Sequence, residues 1–278
     1  MIDKCILITG ATSGIGEATA IGLAKLGYSH LILPVRDLKK GDLIKEKIKN
    51  INTDVVVDIQ ECDLASLDSI KHFANYVKEN YSKLEVIINN AGVWQSKHVL
   101  SKDGIELTFA VNNLAPFLLT NLLLDLIKKS APSRIINVSS ALYKNGEINF
   151  DDIESKKSFN SLKVYSKSKL GNIFFTKVLA QRLKGTNVTV NALHPGVIAT
   201  NLTRNYGPII SGLSKLVFSS PEKGAQTSLY LATSNEVSDI TGVYFAKSKQ
   251  EQTIGSSNDM DKAERFWNIC EGYLKKYL

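Results

Sequence analysis

Short apolar runs alternate with longer amphipathic stretches along this chain. The strand-length runs are "KCILITG" (4–10), "HLILPV" (30–35), "DVVVDIQECD" (54–63), "LEVIINNAG" (84–92), "RIINVSS" (134–140), "NVTVNALHPG" (187–196) and "GVYFA" (242–246). Several are apolar throughout, which suits parallel strands covered by helices on both faces. Between and after them, helical periodicity runs over 15–27, 38–50, 66–81, 102–128, 161–184, 221–234 and 259–276. Strict alternation of strand and helix predicts an α/β fold: a doubly wound parallel sheet of about seven strands with helices on both faces. Such sheets bind ligands in the crevice at the carboxyl ends of their strands. No linker, repeat or low-complexity stretch divides residues 1–278, so one domain is expected. Pro34 removes a ladder bond from the second strand and is tolerable only at that strand's exit.

Charge and composition narrow the function classes. A net charge of +7 invites a nucleic-acid reading. Only five of the 34 basic residues are arginine, however, and the lysines form no tract, unlike the concentrated footprint of a nucleic-acid reader. Attraction of an anionic small ligand explains the charge equally well. Cys5, Cys62 and Cys270 have no metal-ligand spacing, so no metal is expected; they read as small buried residues in a reducing compartment. The most lipid-like stretch, "FAVNNLAPFLLTNLLLDLI" (109–127), is interrupted by three asparagines, Pro116 and Asp125, and reads as a buried helix. With a strand starting almost at residue 4, a soluble cytoplasmic protein without an integral membrane anchor is expected.

Two motifs carry candidate chemistry. In "TGATSGIG" (9–16), Gly10 permits a tight turn, Gly14 lets backbone approach a pyrophosphate, and Gly16 allows helix to pack closely on sheet. The helix that follows offers free N–H groups and a positive dipole to phosphates. In "VYSKSKLGN" (164–172), Lys169 returns to the helical face of Tyr165, while Lys167 lies nearly opposite and reads as solvated surface. Tyrosine alone is a weak acid, and a lysine cation on the same face lowers its pKa towards useful proton transfer. Most tyrosine–lysine pairs at this spacing are surface ornament, so the remaining motifs must decide.

TGxxxGIG at 9–16, "NNAG" at 89–92, YxxxK at 165–169 and "PG" at 195–196 occur on correctly alternating elements. Together they resemble the short-chain dehydrogenase/reductase family, a Rossmann-fold family, over nearly the whole chain. "VRDLKKG", "VNNLAPFLLT", "YSKSKLGN" and "HPGV" are most similar to the retinol dehydrogenase and WW-domain oxidoreductase branch. The resemblance implies Tyr165 as acid/base, Lys169 as its tuner and ribose ligand, Ser140 on the substrate oxygen, and Asn112 holding a relay water. Ser139 and Asn113 are their neighbouring decoys. It further implies that Gly10, Ser13, Gly14, Ile15 and Gly16 cradle the cofactor phosphates. Asp63 and Leu64 would flank the adenine. Asn89, Ala91 and Gly92 would line the cofactor, and Pro195, Gly196, Val197 and Thr200 would close over the nicotinamide. His194 reads as structural.

Cofactor choice turns on the end of the second strand, where NAD-preferring members carry an acid. That position is Val35 here, followed by Arg36, which can stack on adenine and pair with a 2′-phosphate; NADP(H) is therefore expected over NAD(H). Residues 201–224 would form a substrate lid, with Leu202 and Trp94 as substrate contacts and Phe159 a further candidate; the apolar residues of that segment fit a packed helix equally well. The leading expectation is an NADP(H)-dependent oxidoreductase interconverting a lipophilic carbonyl and its alcohol. A non-catalytic dinucleotide sensor or interaction protein on the same fold is the alternative. Monomer, homodimer and homotetramer all remain open.

Overall fold

The computed structural model describes residues 1–196 and 220–278. The strands are β1 (Ile2–Ile8), β2 (Tyr28–Val35), β3 (Val56–Glu61), β4 (Val86–Asn89), β5 (Ser133–Val138), β6 (Val188–His194), β7 (Tyr244–Ala246) and β8 (Lys249–Glu251). They form one sheet in the order β3-β2-β1-β4-β5-β6-β7-β8, parallel except for the final pair. The expected seven strands are present; β1 is shifted by two residues, β2 starts two residues earlier, and the other five are trimmed at one or both ends. β8 is additional. Its three residues are exposed and carry no apolar alternation, so the hydrophobic pattern cannot reveal it. Its hairpin turns at Lys247 and Ser248, both at positive φ (50° and 59°), a conformation that sequence normally signals with Asn-Gly.

The helices are α1 (Gly14–Lys25), α2 (Leu38–Ile51), α3 (Leu67–Asn80), α4 (Leu107–Phe109), α5 (Ala115–Leu122), α6 (Leu124–Lys129), α7 (Ser161–Arg182), α8 (Pro221–Thr233) and α9 (Met260–Leu274). The single helix expected over 102–128 is corrected here. It starts at Leu107, where the Glu106 carboxylate accepts bonds from the Thr108 and Phe109 N–H groups. Residues Ala110–Leu114 then form a π turn. Pro116 has no N–H to give to the Asn112 carbonyl four residues earlier, so a regular helix cannot run through this point.

Strand alternation sends side chains to two cores. Leu7, Ile87, Ile135 and Val190 pack with residues of α3, α5, α7 and α9. Ile6, Ile8, Ile88 and Leu193 pack on the other face with α1, α2 and α8. Burying each such side chain stabilises the fold by roughly 1.5–3 kcal/mol, which is why the strands read as unbroken apolar runs. Pro34 lies beyond the last β1–β2 pair, Leu7↔Ile32, and faces only β3, at Gln60. The chain leaves β1 towards β2 on one side and β4 towards β5 on the other. Their carboxyl ends, at Ile8 and Asn89, therefore flank the switch point where a crevice forms.

Candidate active site

The glycine turn follows β1 directly. Gly10 (φ 70°) and Gly14 (φ 57°) occupy left-handed backbone that other residues adopt at a cost. At Gly16 the constraint is space: a Cβ would lie 2.2 Å from the Gly10 carbonyl oxygen and 2.5 Å from Asn90 Nδ2. Ser13 is extended and its hydroxyl makes no capping bond, which leaves the first N–H groups of α1 available to an anion, around Gly14, Ile15 and Gly16. Thr9 Oγ1 accepts from the N–H groups of Asn90 and Ala91, each at 3.0 Å, and Asn90 Nδ2 donates to Thr9 O at 2.8 Å. These bonds join the turns after β1 and β4 into one unit. Thr9 and Asn90 were not singled out from sequence; their signal is position, inside the two motifs themselves.

The Asn89 side chain turns to structure. Its Nδ2 donates to Thr120 Oγ1 and Asn137 Oδ1, and Asn137 continues to Thr176 Oγ1. Ala91 and Gly92 are half-buried beside it. A Cβ on Gly92 would sit 3.3 Å from both Asn112 Oδ1 and Lys169 Nζ, so the absence of a side chain there keeps a passage between turn and lysine.

At the other end of the crevice, Val35 is buried and Arg36 exposed. Asp37, next in the chain after Arg36, caps α2 through Lys40 N (3.3 Å) and pairs with Lys40 Nζ (3.7 Å). Its carboxylate is thus committed to the helix. Asp63 accepts from Ala65 N and pairs with Lys102 at 2.9 Å. Partial burial raises the Asp63 pKa, but these bonds outweigh it and hold the carboxyl below its ordinary value. Leu64 is half-buried next to it.

Tyr165, Lys169, Ser140 and Asn112 converge where β4, β5 and α7 meet. Tyr165 is only 5% exposed. Burial pushes its pKa well above the ordinary value, and a hydrogen bond with Ser140 opposes that shift. Lys169 Nζ lies 5.6 Å from the Tyr165 ring centroid and donates to Val138 O at 3.0 Å. Burial lowers its pKa to about 8. Burial is thus the largest influence on both groups in this arrangement.

The decoys separate cleanly. Ser139 Oγ is buried and donates to Lys169 O, whereas Ser140 borders the site and bonds Tyr165. Asn113 holds the π turn to α7 through Ser168 O and Asn172 Oδ1. Asn112 clamps the segment after "NNAG": its Oδ1 accepts from Val93 N, and Nδ2 donates to Val93 O and Ser168 Oγ. With that side chain engaged, a water could be held by Asn112 only through its main-chain carbonyl, which Pro116 cannot serve.

Lys167 requires a correction. It is 6% exposed, not solvated, and its Nζ donates to Ile153 O and Ser155 Oγ at 2.6 and 2.7 Å. Helical geometry correctly turned it from Tyr165, but the β5–α7 connection folds over that opposite face. Trp94 stacks on Tyr165, and Phe159 packs edge-on against His98 at 5.7 Å. His194, half-buried, ends β6, with Nδ1 lacking a partner among the described residues and its pKa lowered by burial. Pro195 and Gly196 follow, Gly196 at φ 94°. Val197, Thr200, Leu202 and the expected lid up to residue 219 lie outside the described residues. Residues 220–224 form the cap and first turn of α8, where Ser220 Oγ accepts from Lys223 N.

Among the described residues no cluster of His, Cys, Asp or Glu is placed to hold a metal, and no helix is long and apolar enough to cross a membrane.

Comparison with known proteins agrees with this geometry. The family model described as short chain dehydrogenase matches residues 4–208. Retinol dehydrogenase 14 of Mus musculus is 44% identical, the match covering 99% of this chain and 88% of the relative. Retinol dehydrogenase 13 of Homo sapiens is 43% identical over 95% of this chain and 82% of its own. Among solved structures, an uncharacterized protein from Mycobacterium Paratuberculosis superposes with a TM-score of 0.78 at 30% identity, covering 98% and 93% of the two chains. Proteins of this kind are oxidoreductases of alcohols and carbonyls that use a nicotinamide dinucleotide. The chain belongs to the short-chain dehydrogenase/reductase family, within its retinol dehydrogenase branch.

Proposed function

We propose that the protein is an NADP(H)-dependent oxidoreductase that interconverts a lipophilic aldehyde or ketone and its alcohol, with Tyr165 as the proton donor and acceptor. One observation carries this reading: the buried Tyr165 hydroxyl is bonded to Ser140 and lies with Lys169 beside the glycine-lined crevice. The residues present fit a dinucleotide. Gly16 and Gly92 leave room that side chains would fill, and α1 opens with uncapped N–H groups. Gly10, Ser13, Gly14, Ile15 and Gly16 would hold the pyrophosphate, Asp63 and Leu64 the adenine, and Lys169 the nicotinamide ribose. The bound cofactor supplies the hydride. Ser140 then orients the substrate oxygen, and Tyr165 Oη delivers its proton to that oxygen as negative charge develops there. The Lys169 cation favours the resulting phenolate, and the Asn112 carbonyl holds a water through which the proton is replaced.

Exposed Arg36, with Asp37 turned to its helix cap, supports NADP(H) over NAD(H). Arg36→Glu should raise KM for NADPH at least about tenfold while changing KM for NADH little, because it places a carboxylate against a phosphate. An unchanged ratio of the two KM values sinks the preference. The substrate class is tested by incubating the protein with NADPH and decanal, acetophenone, cyclohexanone or all-trans-retinal, following loss of NADPH absorbance. The aldehydes decanal and retinal should be reduced fastest. Tight NADPH binding with no turnover of any carbonyl contradicts an enzyme of this kind.

A further inference from the structure

Trp94 has no part in the chemistry outlined above, yet its indole lies directly on the Tyr165 ring. The two rings lie face to face, centroids 4.5 Å apart and planes inclined by only 13°. The stack is held from both of its ends. Trp94 Nε1 donates to Ser161 Oγ at 2.8 Å, and Ser161 stands one helical turn before Tyr165 on α7. On the chain side, both main-chain groups of the adjacent Val93 are bound by the Asn112 side chain. The helix that carries the tyrosine therefore also anchors the plate lying on it.

We propose that Trp94 is the positioning residue of Tyr165: its indole fixes the tilt of the phenol ring and shields that face from water, so that the hydroxyl stays aimed at Ser140 and the bound substrate. The proposal rests on the reading of Tyr165 as proton donor. A near-parallel stack blocks rotation of the phenol about its Cβ–Cγ bond, because turning either ring drives it into the other. Tyr165 owes its raised pKa to burial, and the indole is part of what buries it. The charged group facing the ring is Lys169 on the same helix, while burial and the Ser140 bond are what shift the tyrosine.

Plane and bulk are separated by two variants. Trp94→Leu keeps an apolar side chain without a plane, and Trp94→Phe restores a plane. Each is assayed with NADPH and the fastest-reduced carbonyl of the four named above, across pH. In the reducing direction the protonated tyrosine is active, so the rate falls as pH rises through its pKa. Trp94→Leu should lower kcat by about tenfold, leave KM for NADPH unchanged, and move the basic limb of kcat down by about one pH unit as water reaches the phenol. Trp94→Phe should recover most of both effects. If Trp94→Leu fails to fold, Ser161→Ala keeps the indole and removes its tether, with smaller changes in the same direction. The proposal is overturned if kcat and its basic limb stay at wild-type values. It is equally overturned if Leu and Phe variants are impaired alike and only KM for the carbonyl rises, which marks Trp94 as pocket wall. Tyr165→Phe distinguishes the failures. Retained turnover in that variant removes the underlying reading; its loss, with Trp94→Leu unaffected, removes this inference alone.

Discussion

Lys169 shows how burial governs single residues in this site. Its ammonium is held among apolar atoms with one carbonyl partner, and its pKa falls to about 8 from an ordinary 10.5. Between those values the unfolded chain binds a proton that the folded chain has released, so this lysine makes stability rise with pH. The unfolding free energy of wild type minus that of Lys169→Met should increase by about 3 kcal/mol from pH 8 to pH 10.5. A flat difference over that window contradicts a buried lysine. The serines divide similarly. Ser140→Ala should cut kcat about a hundredfold with little loss of stability, whereas Ser139→Ala, which removes a buried second bond to the helical Lys169 carbonyl, should cost about 1 kcal/mol in denaturant unfolding. Sequence reasoning found the face shared by Tyr165 and Lys169 because helical spacing fixes it. It misread Lys167 because spacing says which face a residue occupies, not what another segment lays over that face. The Ile153 carbonyl arrives from 14 residues away.

Elements were legible where periodicity alone determines them and obscure where one residue interrupts it. α2, α3 and α9 carry clear apolar stripes and begin at Asp37, Ser66 and Asp259, whose side chains cap them. The segment from 107 to 129 carries the same kind of stripe, yet Pro116 divides it and imposes the π turn bearing Asn112 and Asn113. β8 was invisible because three exposed polar residues paired by backbone alone leave no hydrophobic signature. The glycine turn is the most demanding element. Gly16→Ala pushes a methyl to 2.2 Å from backbone that cannot retreat without disturbing Thr9 and Asn90. It should raise KM for NADPH by at least about tenfold and destabilise the fold by about 1–3 kcal/mol. Wild-type NADPH binding in this variant contradicts the proposed phosphate cradle.

At the scale of the molecule, alternation of strands and helices was enough to predict a doubly wound parallel sheet, because each apolar strand must be covered twice, but not the strand order that places its switch point. What lay beyond that logic is the segment between Gly196 and Ser220, where the expected lid and the residues Val197, Thr200 and Leu202 fall outside the described structure. The net charge of +7 acts on the whole molecule and favours an anionic cofactor at a distance. Together with Ser140 and the passage that Gly92 keeps open towards Lys169, it leaves Tyr165 as the group on which the proposed chemistry depends.

That dependence is tested most directly by the turnover of Tyr165→Phe with NADPH and its preferred carbonyl, alongside NADPH binding measured by fluorescence. Removing one hydroxyl from a buried ring should leave NADPH affinity unchanged and lower kcat by at least about a hundredfold. A variant that binds NADPH and turns over at the wild-type rate contradicts Tyr165 as the proton donor.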